Sequence, residues 1–258
     1  MKLLKKLFIL FLSLTMLTIL SSCGGGNSLA NIEKKGSMTV ATNPDFPPFE
    51  ALDGTTIVGI EVDIMEKIAE KLGGEIVFEQ VDFESVLPGV QSGKFDVGMS
   101  GITVTEKRQK NVDFTMPYFI AAQSIVVPAN SDIRGKADLT GKTIAVQTGT
   151  TAEIFCMENG YEVLSYQSNN DAASALVSGK AQAWVVDNEV AIKLSAEQNG
   201  ATVVLDEAMT TEPYAFAFAK DSSTLVEKFN EIITEMIEDG TMQAIFDSYD
   251  TVYVAPEL

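Results

Sequence analysis

One of the two arginines in this 258-residue chain stands at a position suited to holding an anion. Arg108 follows an apolar run and a small polar loop, 100–103, which contains Ser100, Gly101 and Thr103. A guanidinium presents a planar fork of donors that matches a carboxylate, and the loop offers further hydrogen bonds beside it. These residues predict a carboxylate-binding site, although an ordinary surface arginine fits the same pattern equally well.

A second polar segment follows a later apolar run. Gln147 ends that run, and Thr150 and Glu153 have the spacing of a capping box, which predicts that a helix begins at Thr151. Unpaired amides at the start of a helix, together with the Thr151 hydroxyl, favour an anion. Helix capping alone explains the same residues, so both interpretations stay open.

Asp187 directly follows the apolar segment 184–186 and supplies a carboxylate at the end of a predicted strand. Ligands of α/β sheets gather beyond the carboxyl ends of the strands, where Arg108 and Thr151 are also expected. A carboxylate held by Arg108 and Thr151 and an ammonium group neutralised by Asp187 together describe a zwitterionic ligand.

The elements that must position these residues form two sets. From residue 38 onward, β-rich runs alternate with amphipathic helices, which predicts an α/β fold. The first set comprises strands at 38–41, 75–78 and 95–99, a helix at 60–72 that ends at Gly73, and a helix that begins near Phe83. The second comprises strands at 143–146, 161–165 and 183–186, and helices from 151, near 172–177 and near 190–196. Two lobes are implied, and a strand at 214–219 with a long helix over 225–236 could return to the first.

Composition excludes several classes of function. The chain has no histidine, so serine–histidine and cysteine–histidine nucleophile pairs and zinc sites built on imidazole are absent. Lys and Arg number 18 against 36 Asp and Glu, and the net charge of −18 argues against nucleic acid and anionic lipid as partners. No phosphate-binding glycine loop or calcium-loop spacing occurs, so the sequence predicts no cofactor and no metal, with its scattered acids on solvated faces.

Residues 1–22 have the pattern of an export signal, with a basic start, an apolar run over 7–20, and small residues. The run is shorter than the roughly 18 to 20 residues that a membrane-spanning helix needs, which disfavours a stable anchor helix. Residues 20–23 (LSSC) resemble the lipobox of bacterial lipoproteins, which implies cleavage before Cys23 and lipid on that cysteine. A plain secretory cleavage site is the alternative.

The segment 23–37 is expected to be a lipid-anchored flexible tether. Removal of residues 1–22 takes away three lysines and no acids, so the net charge changes from −18 to −21. The second cysteine, Cys156, lies in an apolar helical stretch and is expected to be a buried, unreactive side chain.

Motifs in a fixed order resemble those of solute-binding protein family 3, the polar amino-acid receptors of bacterial ABC importers. The match runs from about residue 38 to about residue 250. The motifs are ATNPDFPPFE at 41–50, GIEVD at 59–63, GKFD at 93–96, TEKR at 105–108, DFTMPY at 113–118, GTT at 149–151 and DNE at 187–189.

The resemblance implies a two-lobe periplasmic-binding-protein-like fold of type II with a two-strand hinge. The first lobe would comprise 38–126 and 214–258, the second lobe 127–213, and the hinge would lie near 124–127 and 214–217. These boundaries are expectations to compare with the structure.

The resemblance also assigns roles to residues of the cleft. Arg108 would clamp the α-carboxylate, Asp187 and the 100–103 loop would hold the α-ammonium, and Phe46 and Phe83 would flank the side chain of the ligand. Gln147 occupies a place that varies with the ligand. Asn43 stands where many relatives carry Asp or Glu, so a neutral polar side chain is expected, with cationic amino acids bound more weakly.

The expected function is that of a lipid-anchored, monomeric receptor on the extracytoplasmic face of the cell membrane. It would bind a free polar L-amino acid, deliver it to an ABC permease and perform no reaction. Two alternatives stay open. One is a sensor that presents a bound amino acid to a membrane partner, and the other is a dehydratase-like enzyme on the same scaffold.

Overall fold

The structure is a computed structural model that describes residues 29–256. The expected export signal and Cys23 lie outside the described residues. Within the described part of the chain, no helix is both long enough and apolar enough to cross a membrane.

Residues 29–256 contain nine α-helices and fifteen strands. In chain order these elements are α1 (Leu29–Lys35), β1 (Ser37–Thr42), β2 (Asp45–Phe46), β3 (Glu50–Asp53), β4 (Thr56–Val58), α2 (Ile60–Leu72), β5 (Glu75–Gln80), α3 (Phe83–Gln91), β6 (Val97–Gly98), α4 (Glu106–Gln109), β7 (Val112–Phe114), β8 (Phe119–Ala121), β9 (Gln123–Pro128), β10 (Thr143–Gln147), α5 (Thr151–Glu158), β11 (Glu162–Tyr166), α6 (Asn169–Val177), β12 (Ala183–Asp187), α7 (Asn188–Ala196), β13 (Thr202–Val204), β14 (Glu212–Tyr214), β15 (Ala217–Ala219), α8 (Ser223–Glu238) and α9 (Thr241–Ser248). A single 3₁₀ turn, Lys136–Leu139, precedes β10 among these elements.

Two five-stranded sheets with matching topology form the centres of the two lobes. The first has the strand order β5-β1-β6-β15-β7, and β15 is antiparallel to its neighbours. The second has the order β11-β10-β12-β9-β13, and β9 is antiparallel to its neighbours. We call the elements around the first sheet the first lobe and those around the second sheet the second lobe. This alternation of helices and strands confirms the predicted α/β fold.

The chain passes between the lobes at a two-stranded sheet made of β8 and β14. Phe119 pairs with Tyr214, and Ala121 pairs with Glu212. The expectation of a hinge near 124–127 and 214–217 is therefore wrong in register. All of β9 pairs within the second sheet, and β15 already belongs to the first sheet.

The expected lobe boundaries need the same correction. A boundary between 126 and 127 falls inside β9, whose residues pair with β12 and β13 of the second sheet. The fold also begins earlier than residue 38, because the expected tether contains α1, whose Ile32 is buried and packs in the core. The region 214–219 is two strands rather than one, since β14 and β15 pair in different sheets.

Local sequence explains the helices that support the site. Helix α2 has the predicted bounds, and Gly73 ends it in the left-handed conformation at φ 70°, where its N–H donates to the Glu70 carbonyl. Cys156 is fully buried in α5, and burial raises the pKa of its thiol to about 12, which agrees with an unreactive packing role.

Candidate functional site

Arg108 lies between the two lobes. Its Nη1 donates to the Thr103 carbonyl at 2.9 Å in the first lobe, and its Nη2 donates to the Gly149 carbonyl at 3.2 Å in the second. The guanidinium carbon lies 5.6 Å from the centre of the Phe83 ring. Burial lowers the pKa of Arg108, and the negative charges of Glu212 and Asp187 oppose that shift. The arginine is therefore a half-buried cation with acids nearby rather than a fully solvated surface residue.

The start of α5 faces this arginine from the second lobe. Thr150 is the N-cap, because its Oγ1 accepts from the Glu153 N–H at 3.2 Å, as the capping pattern predicts. Glu153 Oε2 accepts from the Gly149 N–H at 2.7 Å. The amides of Thr151 and Ala152 are in the first turn, where a helix supplies no acceptor of its own. These amides can serve an anion that binds beside Arg108.

Asp187 is 8 % exposed and ends β12 at the edge of the cleft. Its Oδ2 accepts from the Tyr214 hydroxyl at 2.6 Å. Burial raises the pKa of Asp187 well above its ordinary range, and the negative charge of Glu212 raises it further. A cationic group would relieve both effects, so this carboxyl is suited to bind an ammonium.

Two further acceptors stand beside Asp187, and neither was identified from the sequence. Gln123 is its cross-strand partner, and Gln123 Nε2 donates to Thr151 Oγ1 at 3.0 Å. Glu212 is 4 % exposed and shares a face of β14 with Tyr214, since alternate residues of a strand point the same way. Gln123 Oε1 and Glu212 Oε2 are buried without a hydrogen-bond partner among the described residues. Sequence analysis missed them because Glu212 is on the hinge strand β14 and Gln123 begins the strand that follows β8, positions that only the strand pairing reveals.

The 100–103 loop is held from below by two buried glutamates. Ser100 Oγ donates to Glu50 Oε1 at 2.8 Å, and the Gly101 N–H donates to Glu61 Oε2 at 2.9 Å. Tyr118 donates its hydroxyl proton to Glu61 Oε1. Burial raises the pKa of Glu50 well above its ordinary range, and the charge of the adjacent Glu61 raises it further. The environment of Glu50 beneath the loop therefore favours its protonated, neutral form.

These glutamates correct the expectation that the acids lie on solvated faces. Both Glu50 and Glu61 are fully buried. Glu61 lies on the same face of α2 as the core residues Met65 and Ile68, because helix positions four and seven apart share a face. The sequence contained a signal of this burial, because Glu61 falls among the apolar positions of the predicted helix.

Gly101 permits a close approach between the loop and an aromatic ring. Its φ is 53°, and a Cβ at this position would lie 2.3 Å from Cε1 of Phe46. The Phe46 ring also packs 6.2 Å from the Tyr214 ring and 5.7 Å from the Phe49 ring. Phe46 therefore connects the loop to the hinge strand that contacts Asp187.

Neutral amides meet at the other end of the cleft. Gln147 Nε2 donates to Asn43 Oδ1 at 2.8 Å and to the Gln167 carbonyl at 3.0 Å. Gln147 Oε1 accepts from Asn169 Nδ2 at 2.9 Å. We call Asn43, Gln147 and Asn169 the amide cluster. It joins the loop, because the Asn43 N–H donates to Ser100 Oγ at 3.2 Å.

The structure thus brings all the residues expected at the site into one connected set. Hydrogen bonds link the amide cluster to the 100–103 loop, the loop to Arg108, Asp187 to Tyr214, and Gln123 to Thr151, and Phe46 packs against Tyr214. Phe83 lies against the Arg108 guanidinium. Their roles as ligand contacts stay predictions.

Comparison with known proteins identifies what this arrangement is similar to. Residues 38–251 match the family described as bacterial extracellular solute-binding proteins, family 3. Arginine-binding extracellular protein ArtP of Bacillus subtilis (strain 168) is 32 % identical over 248 residues, which are 93 % of this chain and 96 % of ArtP.

Solved structures agree with this finding. An ancestral arginine-binding protein bound to glutamine is 38 % identical with a TM-score of 0.79, over 83 % of this chain and 97 % of that one. The ancestral amino acid-binding protein AncCDT-1, a precursor of cyclohexadienyl dehydratase, is 34 % identical with a TM-score of 0.80, over 86 % and 98 % of the two chains.

The buried acid beneath the loop predicts a pH dependence of stability. Because the pKa of Glu50 is raised on folding, the folded protein keeps a proton that the unfolded chain releases. The free energy of unfolding should fall as the pH rises from the ordinary range of glutamate toward the raised pKa, by up to about 1.4 kcal/mol per pH unit. Glu50→Gln resembles the protonated acid and should remove this part of the slope.

Denaturant unfolding between about pH 5 and about pH 7 measures the two slopes. Glu66→Gln, at an exposed acid of α2, is the matched control and should keep the wild-type slope. Equal slopes for wild type and Glu50→Gln would contradict the assignment of the proton.

Proposed function

The chain belongs to the family 3 bacterial extracellular solute-binding proteins, and from that premise we propose that it closes its two lobes around a free polar L-amino acid and delivers the amino acid to an ABC permease. The observation that carries the proposal is that Arg108 bonds to both lobes, at Thr103 and Gly149, within electrostatic range of the buried Asp187. Arg108 and the first turn of α5 supply donors for an α-carboxylate. Asp187, Gln123 and Glu212 supply acceptors for an α-ammonium, which has three protons to donate.

The amide cluster supports a ligand with a neutral polar side chain. Asn43 and Gln147 carry no charge, and their amide groups hydrogen-bond to each other at 2.8 Å, a bond that the side chain of a polar ligand would replace. Two acids near this end have other partners, because Glu50 accepts from Ser100 below the loop and Asp45 accepts from the amides at the start of α6. Glutamine represents this class of ligand in the titrations below.

A second candidate is a cationic amino acid, and Glu212 is the observation that favours it. Arg108 carries one positive charge against the acids Asp187 and Glu212. A zwitterion adds no net charge to this set, whereas arginine or lysine would add one positive charge and balance it. ArtP is described as an arginine-binding protein, and the ancestral arginine-binding protein named above is described as bound to glutamine. Both candidate ligands therefore occur among relatives.

Further parts of the proposal concern location and chemistry. Lipid on Cys23 would anchor the mature, monomeric protein to the extracytoplasmic face of the membrane.

The protein would perform no reaction, because the carboxyl groups of the cleft are engaged in holding charges and the chain has no histidine. Turnover of prephenate or arogenate would instead favour the dehydratase alternative, and a gene neighbourhood without permease and ATPase genes would favour a sensor.

The carboxylate clamp is tested by Arg108→Ala. We expect the affinity for the bound amino acid to fall by about 3 kcal/mol, because a desolvated carboxylate loses its partner. Arg108→Lys should recover little, since a single ammonium does not form the fork. Calorimetry is the measurement, and Arg134→Ala, at the exposed second arginine, is the control. Wild-type affinity for Arg108→Ala would show that the carboxylate binds elsewhere.

The class of ligand is tested by titration with L-glutamine and L-arginine. If the neutral candidate is right, wild type prefers glutamine, and Asn43→Asp shifts the preference toward arginine by about tenfold or more, because it adds an anion at the side-chain end. If the cationic candidate is right, wild type prefers arginine, and Glu212→Gln weakens arginine more than glutamine. A wild-type preference for arginine that survives Glu212→Gln would contradict both explanations.

Lipid anchoring is tested by Cys23→Ser. The variant should leave the membrane fraction and keep its affinity for the amino acid, because the site lies far along the chain. Cys156→Ser is the control and should stay with the membrane. A Cys23→Ser protein that remains membrane-bound and uncleaved would show that the apolar run is an anchor.

A further inference from the structure

Asp45 of the first lobe makes hydrogen bonds to the start of a helix in the second. Its carboxylate accepts from the N–H of Asn169, from the N–H of Asn170 at 3.4 Å, and from the side-chain amide of Asn170. The Asp45 carbonyl accepts from Asn169 Nδ2 at 3.3 Å. These groups lie at the N-terminus of α6, where the helix dipole favours a negative charge.

Helix α6 does not need Asp45 in order to be capped. Its N-cap is Ser168, whose Oγ accepts from the Asp171 N–H at 3.0 Å. That bond satisfies the third amide of the helix and leaves the amides of Asn169 and Asn170 without an intrahelical acceptor. Asp45 serves those two amides. The second lobe therefore supplies one part of the cap, and the first lobe supplies the rest.

The two halves of this contact are fixed to different lobes. Asp45 is held by the pairing of β2 with β3, in which it lies opposite Ala51. Helix α6 packs on β10 and β12 of the second sheet and also contacts β2. The lobes approach closely elsewhere along the cleft, since a Cβ on Gly149 would lie 2.9 Å from Cβ of Glu84. Separation of the lobes must break the Asp45 contact.

Asp45 is linked to the amide cluster through Asn169, which is one of its members. Asn169 donates to the Asp45 carbonyl and to Gln147 Oε1 from the same side-chain amide. Gln147 in turn donates to Asn43. Burial raises the pKa of Asp45, and the hydrogen bonds from Asn169 and Asn170 oppose that shift, as expected for a carboxylate removed from water in this arrangement.

We propose that Asp45 is a latch, a positioning residue that holds the closed cleft shut by completing the cap of α6 and thereby slows release of the bound amino acid. The inference rests on the proposed function, because closure around an amino acid is what the latch would prolong. The latch adds stability only to the closed state. It therefore acts on the rate of opening and dissociation rather than on the rate of association.

Stopped-flow kinetics with L-glutamine and L-arginine test the latch. We expect Asp45→Ala to raise the dissociation rate about tenfold, as for loss of a helix cap, with the association rate within about twofold of wild type. Asp45→Asn should lie between the two proteins, because an amide caps a helix without the charge. The thermal midpoint of the ligand-free protein should stay unchanged, which a purely structural role would not allow.

Two controls isolate the contact between the lobes. Asp53→Ala removes an exposed acid from the adjacent strand β3 and should leave both rates at wild-type values. Asp171→Asn removes a charge from the same helix turn within the second lobe and should not accelerate dissociation, because it lessens repulsion toward Asp45. Wild-type dissociation from Asp45→Ala would overturn the latch, as would equal acceleration in Asp171→Asn.

A distance measurement separates failure of the latch from failure of the proposed function. Spin labels on Gln91→Cys and Glu158→Cys, in a Cys156→Ser background, flank a crevice that both lobes line. If wild type binds no amino acid, the proposed function fails. The latch is then still tested by the fraction of molecules in which the two labels are close together, which measures the closed state. Asp45→Ala should lower that fraction. An unchanged fraction, or no short distances in wild type under any condition, overturns the latch.

Discussion

A charged group that leaves water must find compensating partners, and in this protein the partners of the cleft charges come from both lobes. Arg108 extends from the first lobe to a carbonyl at the start of α5 in the second. Asp45 extends in the same direction to the start of α6. Polar contacts thus join the lobes at these two places, while one buried apolar cluster continues from the first lobe through the hinge into the second. A ligand that pairs a carboxylate with Arg108 and an ammonium with Asp187 would compensate each of these groups locally, which is the proposed basis of closure.

The topology connects this charge balance to the hinge. Each sheet receives one antiparallel strand directly from the two-stranded hinge sheet, β9 in the second lobe and β15 in the first. Gln123 begins β9 opposite Asp187, and Tyr214 ends β14 with its hydroxyl on the same carboxylate. Groups that can contact the ligand thus stand on the segments where the chain crosses between the lobes. An ammonium bound at Asp187, as proposed, would contact a carboxylate that is hydrogen-bonded directly to the hinge strand β14.

Local signals predicted much of the fold and part of the site. Helix α2 with its terminal Gly73, the cap at Thr150, and the placement of Arg108 and Asp187 after apolar strands all follow from patterns within a few residues. The hinge register and the ends of the lobes were wrong because strand pairing between distant segments decides them. Glu212 was missed because its burial depends on β14 pairing with β8, which no local pattern encodes. Glu61 was visible as an acid on an apolar stripe, but its partner Gly101 was not.

The most direct test of the central claim, that the cleft binds a zwitterion by both of its charged groups, is calorimetry with L-arginine and L-glutamine and with the corresponding amines that lack the α-carboxylate. Titration with analogues that keep the α-carboxylate but lack the α-amino group tests the contact with Asp187. We expect each deletion to weaken binding by about a hundredfold or more, because it leaves Arg108 or Asp187 in the closed cleft without the group that compensates its charge. Equal affinity for an amino acid and its decarboxylated amine would contradict the claim.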